Sequence, residues 1–115
     1  MTGNSDHVWR VDKFVVPAAA RDEFLARVDA THAILRRQPG FIGDNLLEQS
    51  SGPGEFNIVT IAHWQSQAHI EAAREAVVAE HRRIGFEPQG MLQRLGIRAD
   101  LANYRELEGG VRATA

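Results

Sequence analysis

The sequence predicts one α+β domain with the element order β-α-β-β-α-β. Two observations predict it. The 115 residues contain two segments of helical periodicity, and short β-branched or aromatic segments precede and follow each of them. A Ser-Ser-Gly-Pro-Gly turn at 50–54 separates the middle two extended segments. A chain of this length buries about two-thirds of its unfolded surface, which is enough for one hydrophobic core.

The first half of the pattern is a strand followed by a helix. Residues 8–16 (VWRVDKFVV) are β-branched and aromatic, and Pro17 ends this predicted strand. Helical spacing then begins at Ala18 and ends near residue 38, because Pro-Gly follows at 39–40. The helix has one apolar stripe, which consists of Phe24, Leu25, Val28, Thr31, Ile34 and Leu35.

The second half contains a hairpin, a helix and a last strand. Residues 41–49 and 55–64 are predicted to be the two strands of the hairpin. Ser66 is a favourable N-cap for a helix that runs to about Arg83. Residues 91–95 predict a short helical turn, and residues 97–107 alternate apolar and polar side chains as a strand does.

Right-handed crossovers place both helices on one face of a four-stranded antiparallel sheet, which is the ferredoxin-like arrangement. We expect this domain to span residues 8–108. The polar lead-in at 1–7 and the Gly-Gly-containing tail at 109–115 are expected to be flexible.

Composition excludes several classes of function. The net charge is -2, and the 13 basic and 15 acidic residues are interspersed along the chain. We therefore predict no nucleic-acid or anionic-membrane partner. There is no cysteine, which excludes disulfides and thiolate metal sites and fits a cytoplasmic protein. The five histidines show no ligand spacing, so no metal site is predicted. No apolar run approaches the ~20 residues that a membrane span needs.

Strand 55–64 predicts a homodimer, because neither of its faces is polar. One face carries Phe56, Ile58, Thr60, Ala62 and Trp64, and the other carries Asn57, Val59, Ile61 and His63. Two helices cover only one face of a sheet. We expect a second copy of the chain to cover the open face and to protect Phe56, Ile58 and Trp64. The alternative is that loop 85–95 folds over it.

Three segments together resemble the antibiotic biosynthesis monooxygenase family of dimeric α/β barrels. They are residues 11–17 (VDKFVVP), 38–43 (QPGFIG) and 57–66 (NIVTIAHWQS), and the resemblance covers residues 8–107. It implies an enzyme that oxidises a small hydrophobic aromatic, quinol or polyketide-type substrate with dioxygen. It implies no cofactor for most members and haem for some, which leaves haem open here.

Carrying over the family's residues gives a mixed result. Trp64 matches the tryptophan that closes strand 3 in the anthrone oxygenases, but Thr60 and Ile70 replace their asparagine and tyrosine. Haem degraders have an asparagine where this chain has Asp12, and their haem-ligating histidine falls one or two residues from His81. The substitutions at Thr60 and Ile70 favour the alternative of a non-catalytic ligand-binding or stress-response protein with the same fold.

The candidate catalytic residues are His81 and Asp12. His81 lies on the apolar stripe of the second helix, and imidazole is the right group for a base near neutral pH; the alternative is a buried histidine whose role is purely structural. Asp12 either pairs with a neighbouring cation or lines a cavity with a raised pKa. The candidate substrate-binding residues are Trp64, Thr60 and His69. Each of these also suits core packing or an ordinary strand or helix position.

Overall fold

The computed structural model describes residues 6–108. All helices and strands lie within the predicted domain, between Val8 and Tyr104. The expected flexibility of the tail at 109–115, and of residues 1–5 in the lead-in, lies outside the described residues. No described helix is both long enough and apolar enough to cross a membrane.

The predicted order of elements is confirmed, with one additional helix. The strands and helices are β1 (Val8–Val15), α1 (Arg21–Leu35), β2 (Phe41–Glu48), β3 (Ile58–Trp64), α2 (Gln67–Ile84), α3 (Pro88–Leu95) and β4 (Arg98–Tyr104). α1 begins later than expected because Ala18–Ala20 form a 3-10 turn. The predicted short turn is a two-turn helix, α3, which begins at Pro88 and ends at Gly96 in the left-handed conformation.

The four strands form one antiparallel sheet in the order β2-β3-β1-β4, so the predicted ferredoxin-like fold is confirmed. The strand register decides which side chains share a face. Asp12 in β1 lies opposite Thr60 in β3 and opposite Leu101 in β4. Directly opposed residues point to the same side of a sheet, so these three side chains lie together.

Two hydrophobic clusters fill opposite ends of the space between the sheet and the helices. The Phe14 cluster consists of Phe14, Val16, Ala20, Phe24, Val28, Ile58, Met91 and Ile97. The Trp64 cluster consists of Val8, Ala62, Trp64, Ile70 and Ala73. Met91 brings α3 onto the helix side of the sheet, so segment 85–95 packs into the core and does not cover the open face.

The prediction that a second copy protects Ile58 and Trp64 is wrong. Both side chains face the helices and are only 2% exposed within one protomer. The sequence correctly indicated that both faces of β3 are largely apolar. It assigned to the partner copy the face that the helices cover. The side chains on the open face are those of the alternate residues in the strands, which include Trp9, Val11, Leu47, Val59 and Ile61.

Candidate functional site

A belt of polar side chains crosses the helix side of the sheet between the two hydrophobic clusters. On the sheet, Asp12 lies opposite Thr60, while Arg10 and Asp44 both lie opposite Ala62 from the two neighbouring strands. α1 contributes His32, whose side chain is buried above them. We call these residues, Arg10, Asp12, Asp44, Thr60 and His32, the polar belt. Buried polar groups require partners, so their arrangement identifies the chemistry that the site can support.

Asp12 is the carboxyl group of the belt whose pKa is raised. Arg10 Nε donates a hydrogen bond of 2.6 Å to Asp12 Oδ1, and the Asp12 side chain is 22% exposed. Burial raises the pKa of Asp12, although the Arg10 charge and hydrogen bond and the nearby His32 act in the opposite direction. Asp12 is therefore paired with Arg10, as the first alternative from the sequence has it, and its pKa is nevertheless raised. Such a carboxyl group is suited to accepting a proton.

His32 is held by an acidic partner on the sheet. Its Nδ1 lies 2.9 Å from Asp44 Oδ2, and Arg36 Nη2 lies 2.8 Å from the same oxygen. Burial alone would raise the pKa of Asp44, but the hydrogen bonds from His32 and Arg36 hold it below its usual range. Asp44 therefore stays ionised and accepts hydrogen bonds from His32 Nδ1 and from the Arg36 guanidinium.

The sequence analysis did not include His32 or Asp44 in the site. A signal for His32 was present, since it lies four residues after Val28 and eight after Phe24, and all three are buried. Asp44 gave no such signal. A bulge between Phe41 and Gly43 shifts the register of β2, and that shift turns Asp44 towards α1.

The polar belt is accessible from β4. The helices do not cover the helix side of this strand, where Ala99, Leu101 and Asn103 are exposed. Leu101, directly beside Asp12, is 44% exposed. These three residues form an exposed strip on β4. The strip borders an open cleft of about 560 Å³ whose lining includes Val8, Asn103 and Tyr104. An apolar strip that leads to a carboxyl group with a raised pKa can accommodate a flat hydrophobic molecule.

His69 lies at the start of α2 and has two local contacts. Its Nδ1 is 2.8 Å from Ser66 Oγ, and Ser66 is the N-cap that accepts the His69 backbone N–H, as predicted. The His69 ring also packs against Gly40, whose φ is +85°, so closely that a Cβ there would lie 2.2 Å from the ring. The structure places His69 in a turn contact, and its role in substrate binding stays a prediction.

His81 is buried away from the polar belt and lies in a different environment. Its ring meets Phe86 edge-on at 4.9 Å, and its Nε2 has no hydrogen-bond partner among the described residues. Burial, assisted by the charge of Arg27, lowers the pKa of His81, so the ring is neutral near pH 7. It borders an open cleft of about 480 Å³ between α2 and α3, which Val78 also lines. The structure therefore does not bring His81 and Asp12 to one site.

Within residues 6–108, no group of three histidine, aspartate or glutamate side chains is arranged to hold a metal ion. The carboxylates and the histidine of the polar belt are instead paired with one another or with arginines. Proton transfer is therefore the chemistry that the described groups of the belt support most directly.

A sequence model of the antibiotic biosynthesis monooxygenase family matches residues 9–83. The chain belongs to this family. The match includes α1, the hairpin and nearly all of β1 and α2, and so contains the whole polar belt. No curated protein sequence matches the chain significantly.

Solved structures support the fold of this family member. SnoaB, a cofactor-independent oxygenase from Streptomyces nogalater, is 24% identical with a TM-score of 0.64, over 95% of this chain and 96% of SnoaB. The haem degrader MhuD from Mycobacterium tuberculosis, solved with two haems in its active site, is 24% identical with a TM-score of 0.61, over 85% and 93%. A conserved protein from Methanosarcina mazei is 14% identical with a TM-score of 0.67, over 90% and 95%. At these identities the likeness shows a shared fold.

Trp64 is tightly packed in the hydrophobic core of this chain. The indole is 2% exposed and meets Phe41 edge-on at 5.4 Å. It belongs to the Trp64 cluster and borders neither of the two open clefts described above. Thr60, by contrast, is 5% exposed and lies beside Asp12 in the belt. Of the substrate-binding candidates, Thr60 is therefore the one that the structure brings to Asp12.

Proposed function

We propose that this protein is a cofactor-independent monooxygenase that oxidises a small electron-rich aromatic, quinol or polyketide-type substrate with dioxygen. The observation that carries the proposal is the Asp12 carboxyl group, with its raised pKa, beside an uncovered apolar strip on β4. Membership of the antibiotic biosynthesis monooxygenase family supports it, as does the shared fold with a cofactor-independent oxygenase.

The chemistry needs a base, a stabilised anion and dioxygen. In an anthrone-like substrate, the Asp12 carboxylate takes a proton from the reactive CH2 group and leaves an enolate. The enolate's electron pair reduces dioxygen and a C–O bond forms, giving a hydroperoxide after the proton returns. Loss of water then leaves a carbonyl group, so CH2 and O2 become C=O and H2O. Removing the first proton is the step that a positioned base accelerates, by about 100-fold to 10,000-fold.

In this proposal Arg10 and Thr60, which both adjoin Asp12, stabilise the enolate oxygen. Arg10 uses its Nε for Asp12, and its terminal nitrogens make no hydrogen bond to a described residue. A guanidinium group beside a forming anion lowers the free energy of the charged state, most strongly where water is excluded. Thr60 lies directly opposite Asp12 on β3, and its hydroxyl would supply a neutral donor.

We infer that two copies of the chain pair through their open sheet faces, as in the dimeric α/β barrel that the sequence predicts. The open face of one protomer carries apolar side chains from three strands, including Trp9, Val11, Leu47, Val59 and Ile61. Four strands of seven or eight residues present a face of roughly 500 Å² per protomer at the usual strand spacing. Pairing two such faces buries about 1,000 Å², the lower limit for a specific interface.

The substitution Asp12→Asn tests the catalytic proposal. We expect oxygen uptake with dithranol, an anthrone, or with a reduced naphthoquinone to fall by about 100-fold or more, because the amide cannot accept the substrate proton. Uptake is measured with an oxygen electrode. Asp29→Asn is the matched control, since Asp29 is an exposed aspartate on α1.

Two results would contradict the proposal. If Asp12→Asn retained wild-type turnover, Asp12 would not be the base. If no anthrone or quinol supported oxygen uptake by the wild-type protein, the non-catalytic ligand-binding alternative would be favoured instead.

His81 supports haem binding as a second candidate function. A neutral imidazole with a buried, unpartnered Nε2 is a suitable axial ligand, and it borders an open cleft. MhuD, which shares the fold, has been solved with haems in its active site. In this chain His81 would hold the iron, and bound haem would supply redox chemistry that the protein side chains lack.

Titration with haemin tests this second candidate. Axial ligation by His81 predicts a sharp Soret band that appears at a stoichiometric ratio and is lost in His81→Ala. The control is His69→Gln, because His69 is turned into its contacts with Ser66 and Gly40. A Soret band of equal strength in His81→Ala would exclude this ligand.

A further inference from the structure

Three aromatic rings cluster at one end of the open sheet face. His63 in β3 stacks on Trp9 in β1, with ring centroids 4.1 Å apart and an angle of 10° between the planes. His7, directly before β1, approaches the pair, and its Nδ1 lies 2.9 Å from His63 Nε2. We call these residues the ring cluster. A hydrogen bond between two imidazoles requires one nitrogen without a hydrogen, so at least one of the rings is neutral.

The immediate surroundings of His63 contain few charges. In the sheet it lies opposite Trp9 on β1 and Gly43 on β2, neither of which titrates. Burial lowers the pKa of His63, the charge of His7 adds to this effect, and Glu106 beyond β4 opposes it. A proton on His63 therefore has one acidic neighbour within its own protomer.

The other charged side chains on the strands of this face are Lys13, Arg98 and Asp100. Lys13 on β1 lies opposite Asp100 on β4, and its Nζ lies 5.9 Å from the centre of the ring of Tyr104, which is opposite Trp9. Arg98, at the start of β4, forms an ion pair with Glu55 in the loop before β3. Together with Glu55, these charges sum to zero, and histidine is the residue type on this face whose charge changes near neutral pH.

We propose that the ring cluster makes the pairing of two copies through the open face dependent on pH, so that protonation of the cluster separates them. The proposal rests on the dimer inferred above. In a free protomer, a proton on His63 is stabilised by water, by the face of the Trp9 ring and by Glu106. When a second copy covers the face, the same charge loses its water and has no new acidic partner from its own chain.

The direction of the effect follows from linkage. Covering His63 lowers its pKa further, so the free protomer binds protons more readily than the dimer does. Dimer stability is therefore complete above the pKa of the free protomer and is lost as the pH falls below it, in the region under about pH 6.5. If each protomer takes up one proton, the dissociation constant rises by up to about 100-fold per pH unit within that window.

A second copy is the expected occupant because the face is self-complementary. Its centre is apolar, and its opposed charges, Lys13 with Asp100 and Arg98 with Glu55, are neutral overall, so two identical faces do not repel each other. A nucleic acid or another highly charged partner would find no matching charge there.

The experiment is sedimentation velocity of the full chain at about pH 8 and about pH 5.5, with far-UV circular dichroism of the same samples. We expect a dimer at the higher pH, protomers at the lower pH, and an unchanged circular dichroism spectrum. The decisive variant is His63→Phe, which keeps a ring on Trp9 but cannot be protonated. Its dimer is expected to persist at about pH 5.5. His69→Gln, away from the open face, is expected to dissociate as the wild type does.

Each other outcome overturns the proposal. A wild-type dimer that persists at the lower pH, or a His63→Phe dimer that dissociates like the wild type, removes the role of the ring cluster while leaving the dimer itself intact. Protomers at both pH values remove the dimer as well. Dissociation accompanied by loss of the circular dichroism signal identifies acid unfolding in place of a switch at the interface.

Discussion

Two aspartates on the helix side of the sheet are perturbed in opposite directions. Burial raises the pKa of Asp12 in spite of its bond to Arg10, whereas the hydrogen bonds from His32 and Arg36 keep the pKa of Asp44 low. A raised pKa means that the folded protein resists the charged form, and a lowered pKa means that it favours it. Asp44 therefore contributes to the stability of the fold, while ionised Asp12 reduces it. Groups that take part in function are often held, like Asp12, in surroundings that disfavour their charged form.

The substitutions Asp12→Asn and Asp44→Asn should therefore change the stability in opposite directions at about pH 7. The amide introduced by Asp12→Asn keeps an oxygen for Arg10 but carries no charge, so we expect a higher melting temperature than in the wild type. The substitution Asp44→Asn leaves His32 and Arg36 without their anion, so we expect a lower one. Melting is followed by circular dichroism, with Asp29→Asn as the control for removal of a surface charge.

The pH dependence distinguishes this explanation from changes in packing. The destabilisation by Asp12 is absent below its unfolded pKa of 3.8 and develops as the pH rises through the raised folded value. The stabilisation by Asp44 is present above its own unfolded value and is lost as the pH falls through the lowered folded value. Both differences from the wild type should therefore shrink towards about pH 3. Differences that stay constant with pH would refute the electrostatic account.

At the level of the elements, the sequence predicted most of the fold because its local signals agree with one another. Hydrophobic periodicity, Pro17, Ser66 and the turn at 50–54 each mark a boundary that the structure confirms to within a few residues. The length of α3 was underestimated, because its stripe of Met91, Leu92 and Leu95 is short and Gly90 lies in the helix just before it. Its helical form depends on burying Met91 in the Phe14 cluster, a tertiary contact that local patterns do not reveal.

The candidate site was harder to predict, because its residues come from separate elements. Alternation within β1 and β3 was sufficient to place Asp12 and Thr60 on strands, but only the register between the strands makes them neighbours. The two faces of β3 were exchanged for the same reason, since both are apolar and local sequence does not say which one the helices cover. His32 and Asp44 required knowledge of how α1 lies over the bulged strand β2.

At the scale of the whole molecule, the two faces of the sheet have different compositions and suggest different roles. The helix side contains the polar belt and is filled at both ends by the two hydrophobic clusters. The open face contains apolar side chains and the ring cluster, with opposite charges that lie beside one another. In the proposed dimer each protomer keeps its own belt, reached from β4, on the side away from its partner. Pairing then protects the apolar face without closing the strip beside Leu101.

The substitution Ile61→Asp tests this division of roles. Ile61 lies opposite Val11 near the middle of the open face. Two-fold pairing brings two copies of the new carboxylate into the interface, where each loses water without gaining a partner, so we expect protomers even at about pH 8. Val78→Asp is the control, because Val78 is an exposed apolar residue on α2 and should leave the dimer unchanged. Sedimentation velocity measures both variants, and circular dichroism verifies that they fold.

The outcome also bears on the site. If the belt belongs to each protomer alone, Ile61→Asp should separate the copies while oxygen uptake with dithranol falls by less than about threefold, since Asp12 and Leu101 lie on the opposite side of the sheet. A dimer that survives Ile61→Asp would show that the copies pair through another surface. A protomer that folds but has lost all oxygen uptake would show that the partner completes the site, and would contradict the separation of the two faces.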